Sequence, residues 1–84
     1  MRQAISTRYL GPTNHKGSRV KATCEARSFT LEWNDAFNAE RNHKAAALAL
    51  ASKLGWRGTW YGGALKGGGY CFICDDYDGF KLED

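Results

Sequence analysis

The side chains of this 84-residue chain best suited to metal or redox chemistry are three cysteines and two histidines. Their spacing argues against that chemistry. Cys71-Phe72-Ile73-Cys74 has C-x-x-C spacing. A zinc site needs a second such pair, or two histidines at matching intervals, presented from a turn. Only Cys24, His15 and His43 remain as ligands, and an extended strand sends positions 71 and 74 to opposite faces. A redox C-x-x-C sits at a helix N-terminus, where the thiolate is stabilised. These read as core cysteines, with no metal and no cofactor expected. His43 lies among alanines and leucines and reads as a packed histidine bonded to backbone. No serine or cysteine occupies a nucleophile elbow, and no carboxylate pair is placed for acid–base work, so no catalytic residue and no enzyme are expected.

Two glycine- and acid-rich stretches resemble ligand loops only superficially. Asp75, Asp76 and Asp78 suggest the start of a calcium loop but lack its closing glutamate and register. They read as part of a solvated acidic tail over about residues 75–84. Gly62, Gly63, Gly67, Gly68 and Gly69 include no Gly-Lys-Ser/Thr leading into a helix. Hairpin flexibility is the expected reason for them.

Charge is more telling. The first 24 residues carry five cations (Arg2, Arg8, Lys16, Arg19, Lys21) and no anion, whereas the last ten carry five anions against Lys81. Such polarity sorts partners by charge. Arg8, Lys16, Arg19, Lys21 and Arg27 are the candidates for contact with an anionic partner, with Tyr9 and His15 as stacking or hydrogen-bonding neighbours. Asp75, Asp76 and Asp78 are the candidates for a cationic one. The plain alternative is a solvated sheet face whose lysines and arginines deter edge pairing.

The elements that must position these groups read as strands, a helix and strands. Ala4 to Leu10 suits a strand closed by Gly11-Pro12. From Arg19 to Arg27, Val20, Ala22, Cys24 and Ala26 alternate with polar residues, predicting a half-buried strand with a mostly basic outer face. Phe29, Leu31 and Trp33 alternate likewise after a turn near Ala26 to Ser28. A helix is predicted over about Ala39 to Leu54, with Asn38 as N-cap and Gly55 as stop. Its face of His43, Ala46, Ala47, Leu50 and Leu54 is dominated by alanine and can lie close on a sheet. Leu48 falls nearly opposite, either as an ordinary exposed residue or as part of a second interface. Gly58 to Leu65 predicts a strand weakened or bulged by Gly62-Gly63, followed by a hairpin loop over Lys66 to Gly69. Tyr70 to Cys74 is apolar at every position and predicts a central strand covered on both faces.

Together these give one α+β domain over residues 1–84, with an antiparallel sheet of four to five strands, one helix packed on one face, and order β-β-β-α-β-β. Hydrophobic content of 43% supplies one core, and burial of roughly 60–65% of the unfolded surface is normal at this size. No stretch reaches the roughly 18 apolar residues of a membrane span. The start of the chain lacks the apolar run of a secretory signal, and an odd cysteine count does not suit a disulfide framework. A reduced, cytoplasmic protein is expected.

Several runs resemble a family of small uncharacterised proteins from phages, plasmids and integrated elements of proteobacteria. They are Tyr9-Leu10-Gly11-Pro12-Thr13-Asn14, Gly17-Ser18-Arg19-Val20-Lys21-Ala22, Asn42-His43 before Ala45-Ala46, Lys53-Leu54-Gly55-Trp56, and Gly62-Gly63 before Gly69-Tyr70-Cys71-Phe72. The matches run from about residue 4 to residue 74. The chain departs from the family at Ala26-Arg27, where a glycine is expected, and in its acidic tail. The resemblance implies a mobile-element accessory protein acting in a bacterial host. Small proteins of that setting often block host machinery, anti-CRISPR inhibitors among them.

The expected function is therefore stoichiometric binding to a host protein or nucleoprotein complex, as an inhibitor of a nucleoprotein defence system. The alternative is an RNA- or DNA-binding accessory protein using the basic strand and loop of residues 8–27. No membrane partner is expected, and either a monomer or a homodimer fits.

Overall fold

The computed structural model describes residues 4–74. Five strands and one helix follow in chain order: β1 (Ile5–Leu10), β2 (Arg19–Thr23), β3 (Ser28–Glu32), α1 (Ala39–Lys53), β4 (Trp60–Ala64) and β5 (Tyr70–Cys74). The strands form one antiparallel sheet in the order β3-β2-β1-β5-β4, an α+β architecture. β1 is central, and β3 and β4 are the edges.

The helix therefore carries the chain from one sheet edge to the other. Ala46, Ala47, Leu50 and Ala51 are buried beneath it, and these small side chains let its axis lie close to the strands. Ile5, Val20, Ala22, Cys24 and Phe72 complete the core from the sheet side. The main packing of α1 is on β1, β2 and β3.

Both helix ends are closed by local chemistry. Asn38 Oδ1 accepts the Arg41 amide at 2.8 Å, Glu40 occupies the first turn and Lys53 the last. At the C-terminus the Gly55 amide donates to Ser52 O at 3.0 Å and the Trp56 amide to Ala51 O at 2.9 Å. This is a Schellman closure, and Gly55 at φ 72° takes its left-handed position.

Three expectations are corrected. β2 ends at Thr23 rather than Arg27, because the Cys24 amide donates to Arg27 O at 2.9 Å and closes a turn there. Ala26 is consequently exposed instead of facing the core. β5 is internal, but the described residues cover it on one face only, and Ile73 is 57% exposed on the other. Gly62 does not bulge β4, which pairs with β5 in continuous register. A methyl at Gly62 would stand 2.4 Å from Phe72 Cε1, so close approach of a ring, not flexibility, requires the glycine.

Candidate anion-binding face

Alternation along β1 and β2 separates two faces. Ile5, Thr7, Val20 and Ala22 are buried against the helix, whereas Ser6, Arg8, Arg19, Lys21 and Thr23 belong to the other face, which no described element covers. Strand register fixes the neighbours on that outer face. Arg8 lies opposite Lys21, and Lys21 lies opposite Thr30; Leu10 lies opposite Arg19, and Arg19 opposite Glu32.

Arg8 and Lys21 are two cations placed directly opposite each other. Like charges directly opposite across an antiparallel pair are destabilising. Edge protection does not account for them, because both strands are internal. Lys21 and Arg19 are half-buried, so their stems lie along the sheet while their charges reach outward. Arg19 Nε is buried without a hydrogen-bond partner.

Lys16 is held at the margin of this face by a compact turn. The Thr13 amide donates to Lys16 O at 2.7 Å, and Thr13 Oγ1 accepts the amides of Lys16 and His15 at 3.1 and 3.3 Å. A hollow of about 760 Å³ beside it brings together His15, Lys16 and Arg19 with Glu32 and Asp35. Two carboxylates thus line the hollow beside Lys16 and Arg19, whereas among the described residues none stands across the strand pairs from Arg8 or Lys21. Arg27 sits in the β2–β3 turn, at the end of β2 remote from Lys16. The structure thus brings together Arg8, Lys21 and Arg19, sets Lys16 beside them and places Arg27 apart. Asp75, Asp76 and Asp78 lie outside the described residues.

Tyr9 is not a neighbour of the outer cations. Its ring meets Trp33 edge-on at 5.1 Å and its hydroxyl bonds Ser18 Oγ at 2.8 Å, on the helix side. The exposed aromatic of the outer face is instead Tyr61, opposite Ile73. The sequence pattern missed both, since an unbroken apolar run does not reveal that one face lacks a cover.

Leu48 also has a definite place. A groove of about 820 Å³ lies between α1 and the β4–β5 hairpin, lined by Arg41 and Leu48 of α1, by Phe37 just before it and by Trp60, Tyr70 and Phe72 of the hairpin.

Inside the molecule, Thr7 Oγ1 and His43 Nδ1 share a hydrogen bond of 2.7 Å. The partner of His43 is thus a side-chain hydroxyl of the central strand, not the backbone. A hydroxyl against an imidazole has the composition of a nucleophile–base pair. Here both residues are buried, Thr7 at 3% and His43 at 2% exposure, and neither lines either of the two grooves described above. Burial lowers the His43 pKa below its ordinary 6.5 and favours the neutral ring. Cys24 is buried, Cys71 belongs to the outer face, and Cys74 Sγ donates to Arg57 O at 3.6 Å. Among the described residues no three of His, Cys, Asp and Glu cluster to hold a metal. None of their helices is long and apolar enough to cross a membrane.

Comparison with known proteins finds no matching family model, no matching curated protein and no matching solved structure.

Proposed function

We propose that this chain is a non-enzymatic, stoichiometric binding module that presents Arg8, Lys21 and Arg19 to phosphate groups of a host nucleoprotein complex. The observation that carries this reading is the Arg8–Lys21 pair on two internal strands. Two cations held side by side at a cost to the sheet favour a partner that brings negative charge between them. Tyr61 on the same face adds a ring on which a base can stack. The resemblance to mobile-element proteins gives the setting, a bacterial cytoplasm in which such a module inhibits a nucleoprotein defence complex in the manner of an anti-CRISPR protein.

A second reading, binding to free RNA or DNA, is supported by the same cations and is separated by experiment. The tagged chain is recovered from its host with and without nuclease, and purified chain is titrated with labelled oligonucleotides at about 50 mM salt. Recovery of a defined nucleoprotein complex, lost in an Arg8→Ala/Lys21→Ala variant, supports the inhibitor reading. Oligonucleotide shifts without such a complex support the accessory-protein reading. Unchanged binding in the double variant overturns both.

A further inference from the structure

β4 reads Trp60-Tyr61-Gly62-Gly63-Ala64 and forms one edge of the sheet. An edge strand exposes a row of unpaired amides and carbonyls, and proteins normally blunt it with charge, proline, a bulge or a cover. β4 has no charged residue and no proline, its register with β5 is continuous, and no described strand pairs with its outer side. The other edge differs: β3 ends in Glu32, and the Lys53 ammonium lies 4.6 Å over Phe29. Exposed apolar side chains also gather near β4, with Tyr61 at 60%, Ile73 at 57% and Leu65 at 46% exposure.

The hairpin shows which backbone groups point outward. The Leu65 amide donates to Gly69 O at 2.7 Å, which makes 65 and 69 a hydrogen-bonded pair. Such pairs alternate along an antiparallel ladder, so Gly63 and Tyr61 direct their amides to β5. Trp60, Gly62 and Ala64 then direct theirs to the open edge.

We propose that β4 pairs antiparallel with β4 of a second copy, centred on Gly62 opposite Gly62. That register joins the outward groups of both strands and is symmetric, as a twofold interface requires. It sets Trp60 of one copy opposite Ala64 of the other, and Tyr61 opposite Gly63. Every bulky residue meets a small one, and no like charges are opposed. This self-complementarity selects a second copy as the occupant. A nucleic acid is disfavoured because the strand supplies no cation. The proposal stands apart from the anion-binding role of Arg8 and Lys21.

Sedimentation velocity of the full chain under reducing conditions, from about 5 to about 500 μM, tests it. A concentration-dependent shift to twice the monomer mass is expected. Tyr61→Lys introduces charge into the paired face, and Ala64→Pro removes an outward amide while sparing the bonds to β5. Each is expected to weaken association by roughly tenfold or more. Circular dichroism checks that both variants fold, and Tyr61→Lys, which leaves every backbone donor in place, keeps the test decisive if Ala64→Pro does not. A protein that stays monomeric overturns the proposal, including one that uses β4 only for a strand of another protein. A dimer equally stable in a folded Tyr61→Lys variant overturns it too.

Discussion

Gly62 lies directly opposite Phe72, and the phenyl ring occupies the space a side chain at 62 would need. Phe72 is also opposite Ile5 on the central strand, so one ring ties the β4–β5 hairpin to the rest of the sheet.

Gly62→Ala is accordingly expected to destabilise the fold by roughly 1–3 kcal/mol, because the buried Phe72 ring must leave its position or the hairpin must shift. Urea unfolding followed by tryptophan fluorescence measures the change. Gly63→Ala, where a methyl meets open space, is the control and is expected to change stability far less.

Asn42 is the buried clasp of the loop before the helix. Its Oδ1 accepts the Asn34 amide at 2.8 Å, and its Nδ2 lies within bonding distance of the carbonyls of Asn34, Asn38 and Phe37, at 3.0, 3.1 and 3.4 Å. Asn42→Ala leaves these groups unpaired and is expected to cost about 1–3 kcal/mol in the same unfolding assay. Asn42→Asp is expected to be worse, since a carboxylate would then face three carbonyl oxygens.

His43 makes stability depend on pH. Its folded-state pKa is lowered by burial, so the unfolded chain binds the proton more readily. The stabilising contribution is complete above the ordinary value of 6.5 and is lost as pH falls below it toward the depressed folded value. The melting temperature of the wild type is expected to drop between pH 7.5 and pH 5, as read by circular dichroism. His43→Gln keeps a partner for Thr7 without a titrating ring and is expected to flatten that part of the profile.

Arg8→Thr is expected to act in opposite directions on stability and binding. Removing one of two opposed cations should stabilise the free protein by roughly 0.2–1 kcal/mol. It should also weaken oligonucleotide or nucleoprotein binding and reduce the salt slope by about one unit. Arg27→Ala, in a turn remote from the pair, is expected to leave binding nearly unchanged. Thermal melts and salt titrations of the two variants decide the matter, and loss of binding in Arg27→Ala would shift the site toward the hairpin.

The elements were readable because each rests on local chemistry. Asn38 and Gly55 bound the helix through their own capping bonds, and Val20 and Ala22 alternate with Arg19 and Lys21 because a strand has period two. The turn after β2 was readable but its start was placed too late: Cys24 to Arg27 continue the alternation without a glycine, asparagine or proline to mark where the strand stops. β5 misled for a related reason. Its apolar run is the same whether one face is covered or two, and cover depends on where a distant helix lies.

Local patterning already specifies an α+β domain with strands before and after one capped helix, and a strand with Arg19 and Lys21 on its outer side. Periodicity and capping act within a few residues of each other, so they are written into the chain. Strand order emerges only on folding: β5 inserts beside β1, β1 becomes central and β4 forms an edge. From that order follow the internal position of the strands that oppose Arg8 and Lys21 and the place of Tyr61 on an edge strand. Strand order is set by which apolar faces can be buried together, a balance struck over the whole core that no local pattern records.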